Sequence, residues 1–193
     1  MEKQEQLVTT YLEIRFAGRE LYDGRPRAFA SRSREVGDSV LGKTESAENE
    51  KQKFRVRELT ETNWRFNREM YFKVGEQWRW IDKRPWTDEQ WKEYAIDPNL
   101  RTFAGYCGDD VAGYYELHRD ANNVEIAYFG LLPDFVGRGI GGALLTSAIE
   151  NAWAWAPVPS RVWVHTCNRD HPNALANYQA RGFKIYKKVT SDM

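Results

Sequence analysis

Four glycines fall within six positions, at 137, 139, 141 and 142, and they are the residues most ready to do chemistry. The run Leu132-Pro133-Asp134-Phe135-Val136-Gly137-Arg138-Gly139-Ile140-Gly141-Gly142-Ala143-Leu144-Leu145 follows a strand-like segment and opens directly into a helix-like one. Without Cβ atoms, the backbone N–H groups of such a turn stay unshielded. The first N–H groups of the following helix lack intrahelical partners, and its positive dipole end points into the same space. A turn of this kind cradles an anion, and phosphate is the natural guest.

Read literally, Gly137, Gly139 and Gly142 satisfy the G-x-G-x-x-G spacing of dinucleotide folds. That chemistry also requires the glycines immediately after the strand, an acidic residue roughly 20 positions on, and a second strand-helix unit. Here Pro133 ends the strand, residues 157–163 hold no carboxylate, and roughly fifty residues remain. The dinucleotide reading is therefore set aside.

Periodicity places the elements that must position this loop. Val8 to Phe16 is β-branched and aromatic, and Phe54 to Leu59 alternates, so both read as strands, assigned to one edge of a sheet. Between them, residues 18–52 are rich in charge, Ser and Gly, with few periodic apolar positions, and read as a mobile loop. Thr62 or Asn63 caps a helix through Trp64 to Phe72, and Thr87 with Gln90 forms a capping box that sets Trp91 and Tyr94 on one helix face. Thr102 to Cys107, Val111 to His118 and Val124 to Leu131, joined by tight turns, read as an antiparallel meander. A helix from Ile140 to Ala156 follows the glycine loop and stops at Pro157 and Pro159. Then come a strand Arg161 to Cys167, a helix Pro172 to Arg181 and a last strand Phe183 to Val189.

Composition bounds the function classes. At 193 residues the chain suits one domain, 1–193, with a sizeable core. Lysine plus arginine equals aspartate plus glutamate at 28 each, so nothing advertises a nucleic-acid or membrane partner. Two cysteines, Cys107 and Cys167, make neither a disulfide framework nor a structural zinc site, and no metal is expected. The first residues carry no signal-like or spanning apolar stretch, so a cytoplasmic protein is expected.

Three separated pieces then agree. The segment Glu125-Ile126-Ala127-Tyr128-Phe129-Gly130-Leu131-Leu132-Pro133, the glycine loop, and Ala174-Leu175-Ala176-Asn177-Tyr178-Gln179-Ala180-Arg181-Gly182-Phe183 together resemble the acetyl-CoA core of the GNAT N-acetyltransferase superfamily, over residues 100–190. In that family a strand ends at a pyrophosphate loop Q/R-x-x-G-x-G/A, and a later helix carries A-x-x-x-Y-x-x-x-G-F. The resemblance implies a mixed α/β (α+β) fold. Its sheet is mostly antiparallel, of about six to seven strands flanked by about four helices, with a splayed parallel strand pair at the cofactor site. It also implies acetyl-CoA as cofactor and transfer of an acetyl group to a primary amine of a small-molecule or amino-acid-like acceptor. Protein amines, or an acyl-CoA sensor without turnover, are the alternatives, and a homodimer stays open.

Site roles follow from the resemblance. Val136, Gly137, Arg138, Gly139, Ile140, Gly141 and Gly142 would hold the pyrophosphate, with backbone groups of Phe129 and Leu131 bonding the pantetheine arm and polarising the thioester carbonyl. Amine acetylation needs a base and an acid. Glu125, fourteen residues before Gly139, matches the general base of histone-acetyltransferase-type members, while His165 stands where other members place a glutamate base. Tyr178 matches the tyrosine that protonates the departing thiolate. Val136 departs from the usual Q/R, and His171 stands where asparagine is usual, so Asn168 or Asn173 is the expected replacement contact. Trp78, Trp80 and Trp86, in the connection between two helices, are the expected acceptor wall.

Overall fold

A computed structural model describes residues 6–15, 21–22, 25–26, 54–60 and 63–192. The chain runs β1 (Leu7–Arg15), β2 (Leu21–Tyr22), β3 (Arg25–Pro26), β4 (Phe54–Glu58), α1 (Trp64–Gly75), α2 (Asp88–Ala95), β5 (Leu100–Cys107), β6 (Asp110–Asp120), β7 (Asn123–Leu131), a short 3-10 turn (Pro133–Phe135), α3 (Gly141–Ala154), β8 (Arg161–Cys167), α4 (Ala174–Gln179) and β9 (Lys184–Ser191). Apart from the small β2–β3 ribbon, the strands form one seven-stranded sheet in the order β4-β5-β6-β7-β8-β1-β9. Most of the expected mobile loop at 18–52 lies outside the described residues.

Neighbouring strands are antiparallel except β7 and β8. That parallel pair is short: Asn123, Val124 and Glu125 register with Arg161, Val162 and Trp163, and beyond Glu125 the two strands part. On its other side β7 stays paired with β6 to Leu131, with an irregularity between Ile126 and Tyr128 where Ala127 is the extra residue. One expectation is corrected. β4 and β1 do not share an edge, because β4 ends the sheet beside β5 while β1 sits between β8 and β9. Residue composition carries no record of which neighbours a strand finds.

Two layers of helix cover the sheet. Strand alternation sends Tyr114 and Tyr115 to opposite faces. Tyr115 stacks on Phe103, with ring centres 4.7 Å apart, in a core with Leu144, Leu145, Ala148, Ile149 and Trp153 of α3. Tyr114 joins Met70 and Val74 of α1. Each fully buried aliphatic side chain of this kind stabilises the fold by about 1.5–3 kcal/mol. Buried positions 67, 70, 71, 74 and 75 of α1 recur at helical spacing, which is why this helix lies on β6 and β7. Its Asn63 side chain caps it by accepting from Phe66 N at 3.2 Å, whereas Thr62 lies outside the described residues. The capping box forms as expected: Thr87 N donates to Gln90 Oε1 at 2.9 Å and Gln90 N donates to Thr87 Oγ1 at 3.3 Å.

Candidate active site

Where β7 and β8 part, a cavity of about 990 Å³ opens, lined by residues of β7, β8, the glycine turn, α4 and the α1–α2 connection. Its β7 wall is a strand with a free side. Leu132 N donates to Ala112 O at 2.9 Å, so even-numbered residues from 128 to 132 face β6 and the backbone groups of Phe129 and Leu131 face the gap. Both residues line the cavity.

The glycine turn forms the next wall. Gly137 and Gly139 adopt φ of +83° and +79°, a backbone region that side chains strain to enter. The N–H groups of Gly139, Ile140, Gly141 and Gly142 make no hydrogen bond among the described residues, and α3 starts at Gly141, so its positive end faces the same space. Val136, Gly137, Gly139, Gly141 and Gly142 line the cavity, while Arg138 and Ile140 do not. The Arg138 guanidinium instead stacks on Phe135 at 4.8 Å. Gly142 answers a further constraint: an added Cβ would come within 2.3 Å of Arg181 Nη2. Arg181 Nε donates to Gly142 O and Thr146 Oγ1, both at 3.1 Å, so the glycine turn is tied directly to the Tyr178–Phe183 segment.

Tyr178 is 6% exposed and lines the cavity, packed between Phe129 at 6.2 Å and Phe183 at 5.8 Å. Its hydroxyl has no hydrogen-bond partner among the described residues, and burial pushes its pKa well above the ordinary phenol value. It therefore stays protonated and free to donate. His165 also lines the cavity, with 47% of its side chain accessible. Its Nδ1 lies 3.3 Å from Oε1 of Glu125, and Glu125 stands behind it rather than on the cavity surface. The hydrogen bond to Glu125 raises the imidazole pKa above its usual value. The two candidate bases thus form one pair.

Other expected contacts separate. Asn173 lines the cavity and makes no side-chain cap on α4. Asn168 does not: it accepts from Val8 N at 3.0 Å and donates to Gln6 O at 2.9 Å, stapling the start of β1. Trp78 and Trp80 line the cavity, and Trp78 meets His171 edge-on at 5.4 Å across it. Trp86 does not reach it. It packs on Trp91 at 5.2 Å and Tyr94 at 5.5 Å, with the Lys83 ammonium 3.7 Å above its ring, because helical α2 draws it into its own aromatic cluster. Sequence reasoning missed Asp82 and Tyr128, both on the cavity wall, whose phenol and carboxylate are hydrogen-bonded. A signal existed: Asp82 is the sole acidic residue between Trp78 and Trp86.

Among the described residues no group of three or more His, Cys, Asp or Glu could hold a metal ion, both cysteines are free thiols, and no helix is long and apolar enough to cross a membrane.

A strand pair parting beside a glycine turn, with a tyrosine from the following helix, is the architecture of the acetyltransferase (GNAT) family, whose pattern this chain matches over residues 56–183. The chain belongs to that family. It is 32% identical over 94 residues to an uncharacterized N-acetyltransferase of Mycobacterium bovis, a match covering 48% of this chain and 58% of that protein. The chain thus spans little more than half the length of the curated relatives it matches. Among solved structures, a Bacillus subtilis acetyltransferase in complex with CoA aligns with a TM-score of 0.52 at 25% identity, covering 70% of this chain and 79% of that one. An aminoglycoside acetyltransferase from an uncultured soil metagenomic sample shares the fold with a TM-score of 0.54 at 13% identity, covering 67% of this chain and 87% of that one.

Proposed function

We propose that the protein is an N-acetyltransferase, a single domain over 1–193, that moves the acetyl group of acetyl-CoA to a primary amine of a small-molecule acceptor. The observation that carries this reading is the parted β7–β8 gap, bounded by unpaired backbone groups at one end and an unpartnered Tyr178 hydroxyl at the other. The free N–H groups of the glycine turn suit a pyrophosphate, and the gap-facing backbone of Phe129 and Leu131 suits an extended amide-bearing arm and a developing oxyanion.

In this mechanism His165 accepts the amine proton at Nε2 while its Nδ1–H is held by Glu125, which makes Glu125 the positioning residue and His165 the base. Attack forms the C–N bond, the C–S bond breaks, and Tyr178 gives its proton to the departing thiolate. Solvent then returns the histidine and tyrosine to their starting states. A small acceptor fits better than a protein amine because Trp78 and His171 meet across the cavity.

Calorimetry with acetyl-CoA tests the cofactor assignment, and a thiol-release assay over an amine panel tests turnover. Absence of acetyl-CoA binding would sink the whole reading. Binding without thiol release on any amine would favour a sensor.

A further inference from the structure

Asp82 is an exposed carboxylate on the cavity wall whose two oxygens are held by two phenols from different elements. Tyr71 of α1 donates to Oδ1 at 2.8 Å, and Tyr128 of β7 donates to Oδ2. The Tyr71 oxygen in turn accepts from Lys83 N at 3.1 Å, so the carboxylate is fixed in place by main chain and side chain together. Each oxygen keeps a lone pair to spare.

Its charge acts on Lys83 and His165 but has no salt-bridge partner among the described residues. The adjacent Lys83 turns its ammonium into the rings of Trp86 and Tyr94, 3.7 Å from each centre, and Arg84 donates Nε to Trp80 O at 2.7 Å. Lys83 and Arg84 thus make their closest contacts away from Asp82, although the Lys83 ammonium also lies 5.4 Å from the Tyr128 ring centre, and Arg79 and Arg169 share the cavity lining. Around Asp82 stand rings instead: Trp80 lies 5.0 Å from Tyr128 and 5.5 Å from Tyr71, and both Trp80 and Tyr128 line the cavity. A rigid carboxylate flanked by aromatic rings recognises an organic cation through charge and through the ring quadrupoles.

We infer that Asp82, with Trp80 and Tyr128, binds a second nitrogen of the acceptor in its protonated form, so that the preferred substrate is a diamine or polyamine. This rests on the acetyltransferase reading above. The bound nitrogen is the second one because a carboxylate beside the reacting amine would hold that amine as ammonium and oppose attack. Tyr128 directly precedes Phe129, whose backbone faces the gap, so a spacer of a few methylenes separates the two nitrogens.

The test compares diaminopentane, pentylamine and aminopentanoate as acceptors, by thiol release, with the wild type and Asp82→Asn. The expected result is a kcat/KM for diaminopentane about tenfold or more above that for pentylamine, carried by KM, and a ratio near one in Asp82→Asn. Asp82→Glu keeps the charge and should shift preference toward diaminobutane, which serves as the second variant if the amide fails to fold. Equal use of the two amines, preference for the aminocarboxylate, or a preference that survives Asp82→Asn overturns this inference while leaving amine acetylation intact. Should no amine be acetylated, calorimetric binding of diaminopentane to the CoA-loaded protein decides: binding lost in Asp82→Asn supports the cation site, and no binding overturns it.

Discussion

Glu125 Oε1 and His165 Nδ1 lie 3.3 Å apart, one residue on each of the two parallel strands, just where those strands stop pairing. The carboxylate orients a ring that reaches the cavity, so a change at either residue is felt at the other.

That contact fixes the sign of a pH dependence. The hydrogen bond to Glu125, aided by its charge, raises the imidazole pKa in the folded protein. The contact is then fully stabilising below the unfolded imidazole value of about 6.5, and the gain disappears as pH rises through the folded value. Glu125→Gln should destabilise more at about pH 6 than at about pH 9 in urea melts, by a small margin because the ring is half exposed. In rates it should move the acid limb of kcat/KM to lower pH, while His165→Ala removes the limb and lowers the plateau by about 10²-fold. A profile indifferent to both variants would return proton removal to solvent.

Tyr178→Phe removes a hydroxyl that has no hydrogen-bond partner among the described residues and lines the cavity. The expected loss is about 10²-fold or more in kcat with acetyl-CoA affinity nearly unchanged, the pattern of an interaction made in the transition state alone. A drop in affinity matching the drop in rate would assign the residue to packing.

Gly139→Val should abolish calorimetric acetyl-CoA binding while circular dichroism stays that of the folded protein. At φ of +79° a branched side chain forces the turn to reorganise, although the space around the glycine is open, so the damage is to backbone aim rather than to packing. Retained affinity would mean that the turn does not carry the phosphates.

Gly142 and Arg181 should be energetically coupled. Gly142→Ala drives a methyl group into Arg181 Nη2, an overpacking that costs about 1–3 kcal/mol in denaturant unfolding. In an Arg181→Ala background the same change should cost much less, and a double-mutant cycle reads the difference directly. Strict additivity would show that the arginine swings away freely.

Glu116 is a fully buried carboxylate, accepting from Asn67 Nδ2 at 2.8 Å and from the Tyr94 hydroxyl, with burial raising its pKa. Glu116→Gln keeps one acceptor oxygen for Asn67 and turns the other into an amide donor that the Tyr94 hydroxyl can accept, so it should be tolerated, whereas Glu116→Ala strands two buried donors and should cost about 2–5 kcal/mol. Equal urea midpoints for the two variants would contradict this.

By itself the sequence determined what is local. Glycine spacing, the Thr87–Gln90 box, the Asn63 cap and the strand and helix periods each rest on contacts a few residues long, and they place the glycine turn, Tyr178 and most of the elements. The parting of β7 and β8 was legible only through resemblance. Tertiary structure decided the rest, because those meanings come from partners distant in the chain. Glu125 and His165 read as competing bases until parallel pairing set them side by side. Trp86 looked equivalent to Trp78 and Trp80 until the packing of α2 claimed it. Strand neighbours were beyond reach for the same reason, since pairing is a non-local choice and β1 could be placed beside β8 and β9 only by folding. Asp82 carried no helical or strand period, and what makes it a binding group is two phenols, eleven residues before it and forty-six after it, that only the fold brings to its oxygens.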